Sequence, residues 1–132
     1  MPTLLTKIIG SNSYFSLISL DVNGLNYPIK RHRLTDWLHK QVPTFCCLQE
    51  THLRDKDRNY YLRVKGWEAV FQANGLKKQA GVAILILNKI EYQPKDIKKD
   101  KEGHFILIKG KIYQDELSIL NMYAPMQGNS HS

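Results

Sequence analysis

The sequence predicts an α/β fold in which one mixed sheet of about six strands carries two helices. Three observations point there. Residues 14–49 read as strand, helix, strand in a span of about 35 residues, the size of a βαβ unit. Residues 82–87 (VAILIL) form an unbroken apolar run, as in a strand covered on both faces. Residues 104–112 and 116–123 read as a hairpin around Gln114-Asp115.

Element by element, residues 14–22 (YFSLISLDV) are rich in aromatic and branched side chains and read as a strand that Asn23-Gly24 breaks. Pro28 suits the first turn of a helix. Leu34, Trp37, Leu38 and Gln41 follow at helical spacing, with Lys30, Arg31, Arg33 and Lys40 free to face solvent. Pro43 ends that helix, and residues 44–49 (TFCCLQ) form a second, nearly all-apolar strand. The right-handed crossover rule makes these two strands parallel or nearly so. Residues 55–64 are charged and predicted helical. Residues 66–72 (GWEAVFQ) read as a strand closed by Asn74-Gly75, and residues 93–101 as a basic loop containing Pro94.

The chain has 132 residues, 42% of them hydrophobic, which suits one folded domain rather than a disordered segment. Its net charge of +7 favours acidic partners, nucleic acid first, although a basic soluble surface accounts for the same number. The first 13 residues have a short apolar stretch interrupted by Lys7, unlike a secretory leader. No apolar run is long enough to span a bilayer. Cys46 and Cys47 are adjacent, so on a strand they point to opposite faces and a relaxed disulfide between them is not expected. Read as reduced, buried thiols, they predict an intracellular protein, nuclear or cytoplasmic and not secreted.

The chemistry gathers at strand ends. In α/β sheets ligands bind beyond the carboxyl ends of the strands. The first strand ends in Asp21-Val22-Asn23-Gly24 and the second in Gln49-Glu50-Thr51. As parallel neighbours they would present Asp21, Asn23 and Glu50 on one rim. Mg²⁺ takes one or two carboxylates together with waters and phosphate oxygens. Glu50 could supply one ligand, and Asp21 or Asn23 another. Spacing alone also fits a plainer reading: Glu50 as a solvated strand end, Thr51 as a helix cap and His52 as a packing histidine.

Six segments carry a resemblance: SLDVNGLN (19–26), CCLQETHL (46–53), KGWEAVFQANG (65–75), AGVAIL (80–85), KDKEGHFILIKG (99–110) and SILNMYAP (118–125). In this order they resemble the endonuclease of long interspersed retrotransposons. That enzyme is a member of the endonuclease/exonuclease/phosphatase superfamily, which also contains the apurinic/apyrimidinic endonucleases. The resemblance runs from about residue 11 to residue 125. It implies an N-terminal extension (1–13), a truncated domain (14–125) that is the first half of a four-layer α/β sandwich, and a divergent tail (126–132). It implies a Mg²⁺-dependent phosphodiesterase that nicks DNA to prime reverse transcription, with one Mg²⁺ that Mn²⁺ can replace. The family's metal-binding glutamate falls on Glu50. Its first-strand acidic or amide position falls on Asn23, and its phosphate-facing tyrosine on Tyr123. Asp21 is assigned to the metal beside Glu50. Lys30, Arg31, Arg33, Lys77 and Lys78 are the expected DNA contacts.

Three departures qualify the activity. Asp21 stands where the family has asparagine. Two adjacent carboxylates repel, so one is pushed towards protonation unless a cation lies between them. Met126 follows YAP where the family has a phosphate-contacting asparagine, and a thioether donates no hydrogen bond. The family's later GDFN-like and SDH-like segments, which position the water and supply the catalytic histidine, do not occur in these 132 residues, and His131 in its SHS tail is no substitute. The expectation is a catalytically incomplete endonuclease; the alternative is an inactive, basic, nucleic-acid-binding remnant. DNA is the expected partner, bound weakly and without sequence preference, with no membrane and no small-molecule cofactor. Half a sandwich, with mostly one sheet per half, would also leave an apolar sheet face open to self-association.

Overall fold

The computed structural model of the chain describes residues 3–10, 15–56, 61–76 and 80–124. Strand β1 is Thr3–Gly10, β2 Leu17–Asp21, β3 Phe45–Gln49, β4 Ala69–Ala73, β5 Val82–Ile86, β6 Tyr92–Lys99, β7 Phe105–Ile112 and β8 Asp115–Ala124. The helix α1 is Pro28–Gln41. The α/β class is as expected, but the strands are shared out differently. They form two four-stranded sheets, ordered β2-β3-β5-β4 and β1-β8-β7-β6, instead of one sheet of about six.

The crossover rule holds: β2 and β3 are parallel, with Asp21 opposite Gln49. Between them α1 begins at Pro28, whose missing N–H costs nothing in a first turn. It ends at Val42 in the left-handed region (φ 47°), where Val42 N donates to Leu38 O at 2.7 Å. A β-branched residue is strained there, and Pro43 then forbids another turn. Leu34 and Leu38 face the sheet, as their spacing predicts.

The core has two compartments on either side of β3 and β5. Cys46, Leu48, Ala83 and Leu85 pack under α1 and Trp67. Phe45, Cys47, Ile84 and Ile86 face Ile106, Ile108, Ile112 and Ile119 of the second sheet. The two cysteines therefore lie in opposite compartments, both buried and outside any disulfide, and burial pushes the Cys46 thiol up to about 12. The inner faces of the two sheets meet and exclude water, which corrects the expectation of an open inner face. Side chains of this size contribute about 1.5–3 kcal/mol each when fully buried. The apolar residues left half-exposed, Leu107 and Leu120 among them, lie on the far face of the second sheet.

Four local expectations are corrected. In the stretch 55–64, none of the described residues is helical. That stretch has no apolar stripe at helical spacing. Leu62 and Val64 are instead buried against the sheet, with Leu62 N donating to the Gln72 carboxamide at 2.8 Å. The basic stretch 93–101 is mostly strand β6, antiparallel to β7, with a register break between Pro94 and Asp96. Proline and lysine suit it because β6 is an edge strand. The segment expected as an extension supplies β1, paired antiparallel with β8 from Thr3 opposite Ala124 to Gly10 opposite Leu117. The hairpin turn falls one residue early, on Tyr113-Gln114, with Tyr113 at φ 55°. Residues 126–132, the expected tail, lie outside the described residues. Among the described residues, no helix is long and apolar enough to cross a membrane.

Candidate active site

The loops after β2 and β3 are stitched together by their backbones. Val22 N donates to Gln49 O (3.0 Å), Gly24 N to Glu50 O (2.7 Å) and Leu25 N to Thr51 O (2.8 Å). Holding two loops in this register takes unusual backbone angles. Asn23, Glu50 and His52 all have positive φ, at 47°, 55° and 61°. These are sparsely populated values for residues with side chains, and such residues gather at functional sites. Gly24, at φ 96°, is a glycine for a second reason: a Cβ there would sit 2.8 Å from His52 Nδ1.

The rest of the rim comes from the other strands. Thr51 N and His52 N donate to Gly81 O and Ala80 O ahead of β5. Gly81 N donates to Gly103 O in the β6–β7 loop, and Tyr123 N on β8 donates to His104 O at 2.7 Å. Both sheets therefore contribute to one rim.

Asp21, Glu50 and Tyr123 meet there. The Glu50 side chain is 15% exposed, and Asp21 and Tyr123 lie close enough to act on its carboxyl. His52 Nε2 lies 3.8 Å from Glu50 Oε1, an ion-pair distance once the ring is protonated. Burial, then the hydrogen bond and negative charge of Asp21, raises the Glu50 carboxyl from 4.5 to about 7, while the Tyr123 hydrogen bond pulls it down. Burial and the nearby Glu50 charge push the Tyr123 phenol up to about 12. At neutral pH the phenol is a neutral O–H donor.

That donor set fits a hard divalent cation. Two carboxylates held together by a proton are the arrangement in which a cation can take the proton's place. Two carboxylate groups with open positions for water and phosphate oxygen also match Mg²⁺ in number and type. Asn23 is exposed on the same rim, where its N–H caps Asp21 Oδ1 at 3.1 Å. Lys30 is partly occupied within the site, since its Nζ donates to Val22 O (2.9 Å) and Asn23 O (2.6 Å). Arg31 likewise donates to Leu25 O at 2.8 Å. Arg33 is exposed and lines an apolar groove with Leu20 and Trp37. Lys77 and Lys78 lie outside the described residues.

Three features were missed in the sequence. The sequence reads His52 as a surface or packing histidine, and only the left-handed turn brings it back towards Glu50. Asn121 gives no signal in a strand pattern, although it is fully buried. Asp100, Glu102 and His104 in the β6–β7 loop hold their ligand atoms within 4.8 Å of one another. Their i, i+2, i+4 spacing around Gly103 was the available signal.

The raised Glu50 value has a consequence for stability. Because the folded value lies above the unfolded one, this group's contribution is present below about pH 4.5 and is lost as pH rises through about 7. Replacing Asp21 with asparagine removes the like charge and shrinks that loss. Thermal unfolding at pH 5 and pH 8 should show a smaller fall in Tm for Asp21→Asn than for the unaltered chain. An equal fall in both would remove Asp21 as a cause.

Residues 18–124 match the Endonuclease/Exonuclease/phosphatase family, and the chain belongs to it. Members of this family generally use divalent metal ions. The fold is similar to the crystal structure of an AP endonuclease from Leishmania major, with a TM-score of 0.53 and 18% sequence identity. That similarity covers 82% of this chain and 36% of the other, so the chain spans little more than a third of the solved protein.

Proposed function

We propose that the chain is the metal-holding half of a Mg²⁺-dependent DNA endonuclease of retrotransposon type. The convergence of Asp21, Glu50 and Tyr123 from both sheets carries this reading. The six retrotransposon-like segments favour that branch over other members of the family. Asp21 and Glu50 would hold the ion, with Mn²⁺ able to replace Mg²⁺, and a bound ion would act as a Lewis acid on the scissile phosphate. The Tyr123 O–H, beside Glu50, would donate to a phosphate oxygen. Asn23 flanks the ion position from the β2 loop. The substrate calls for an intracellular setting. Manganese binding followed by electron paramagnetic resonance is the test. One bound ion that depends on Glu50 supports the reading, and an absence of site-specific binding removes it.

The charge supports a second reading, that of a basic binding remnant. The exposed Arg33 and the exposed lysines of β6 (Lys95, Lys98 and Lys99) offer contacts to phosphate but no means of reading bases. Binding to duplex DNA should be weak and sequence-independent. It should fall as salt rises, with a slope set by the number of phosphates contacted. Fluorescence anisotropy from about 50 to 200 mM salt checks this. Affinity that does not change with salt contradicts it.

A further inference from the structure

Asn121 is the only buried polar side chain in the second sheet among the described residues. It sits on β8 with Ile119 and Tyr123 on the same inner face, surrounded by branched aliphatic residues. A carboxamide in such a place costs stability unless its hydrogen bonds are made. Here they are made across the gap between the sheets. Asn121 Nδ2 donates to Leu48 O at 3.0 Å and to Ala83 O at 2.8 Å. Its Oδ1 accepts from Gln49 Nε2 at 2.7 Å. Gln49 Nε2 also donates to Ser19 Oγ on β2 at 2.9 Å. Leu48 and Ala83 are cross-strand partners on β3 and β5, so one side chain reaches the backbones of both central strands of the opposite sheet.

We propose that Asn121 is a positioning residue that sets the distance between the Tyr123 phenol and Glu50. The proposal rests on the reading of Glu50 and Tyr123 as the working pair. Tyr123 lies two residues beyond Asn121, and Glu50 two residues beyond Leu48. Joining position 121 to position 48 therefore fixes the offset at which 123 meets 50. Apolar packing alone leaves that offset soft, because aliphatic side chains make similar contacts over a range of sliding. Two directional donors aimed at two fixed carbonyls do not. A satisfied buried carboxamide adds little net stability over an apolar residue of similar volume, so what it contributes here is register. A reacting group must be held within about 0.5 Å of its working position, and supporting hydrogen bonds are the usual means.

The test is a distance and needs neither metal, DNA nor activity, so a chain without nuclease function leaves it intact. Cross-peaks between the Tyr123 ring protons and the Glu50 side chain are measured by NMR in the unaltered chain and in Asn121→Leu and Asn121→Thr. Contacts around the Trp67 indole, whose Nε1 donates to Pro43 O at 2.9 Å, report folding. In a folded variant the Tyr123–Glu50 cross-peak should weaken by about threefold or more while the Trp67 contacts stay. A merely structural role for Asn121 lowers Tm and leaves the cross-peak at full strength, and that result overturns the proposal. Should neither variant fold, exchange of the Asn121 carboxamide hydrogens in the unaltered chain decides. Slowing of about tenfold or more against a free amide is expected, and exchange at the free rate overturns the proposal.

Discussion

Glu50→Ala should lower the affinity of the chain for Mn²⁺ by more than about 100-fold, since even residues that only support a ligand typically cost 10–100-fold when removed. Glu50 is the side chain on which the rim converges: Asp21 and Tyr123 act on its carboxyl, and His52 Nε2 lies 3.8 Å from it. Without it, Asp21 is left as a single carboxylate, and a hydrated Mg²⁺ or Mn²⁺ has little reason to stay. Asp21→Asn should cost less, because a carboxamide oxygen can still ligate and the remaining carboxylate ionises more readily. Proton competition gives a further check. With the Glu50 carboxyl at about 7, affinity should fall by about tenfold per pH unit below that value, as expected when one proton is displaced per ion. Asp100→Ala is the control, because the β6–β7 loop offers its own group of ligand atoms. Loss of binding in Asp100→Ala with retention in Glu50→Ala would move the ion to that loop.

Where periodicity was strong, the fold was legible. Pro28, the spacing of Leu34 and Leu38, and the Pro43 stop delimit α1 as it is found. Within the run 82–87, Val82–Ile86 is a strand buried along its whole length. Two stretches misled for a shared reason: their charge suggested solvent, while their structure was decided by neighbours. In 93–101 the lysines point outward from an edge strand, and only pairing with β7 reveals it. In 55–64 the charges hid Leu62 and Val64, which are buried in the compartment under α1 and Trp67. The division into two sheets could not be read from strand counts. It depends on which apolar faces meet, a long-range outcome that local pattern does not encode.

The candidate site was legible to a different degree. Glu50 stood out because an apolar run ending in a carboxylate needs a reason. The rule that parallel strands deliver their ends to one rim brought Asp21 beside it. Tyr123 came only through the resemblance, since nothing local distinguishes it from any other tyrosine closing a strand. His52 and Asn121 were hidden because their roles are set by geometry: a left-handed turn in one case, and a reach between sheets in the other.

On supercoiled plasmid in Mg²⁺, these 132 residues by themselves should produce no nicking above background. Hydrolysis of a phosphodiester needs three things together: an ion to polarise the phosphate, a positioned water with a base, and donors for the developing charge. Asp21 and Glu50 address the first, and Tyr123 supplies one donor for the third. His52 Nε2 lies 3.8 Å from Glu50 Oε1, so that ring is engaged with the carboxylate proposed to hold the ion. Groups that act as a unit are strongly non-additive, so keeping one of the three does not keep a third of the activation free energy. An effective site lowers the barrier by roughly 8–23 kcal/mol, and a lone Lewis acid falls far short of that. The measurement compares the purified chain with Glu50→Ala, at equal concentration and with the same divalent ion. Equal traces in both are the expected result. Nicking that the unaltered chain performs and Glu50→Ala does not would show that the missing water and donors are supplied after all. A rate rising with the square of chain concentration would then identify a second copy as their source.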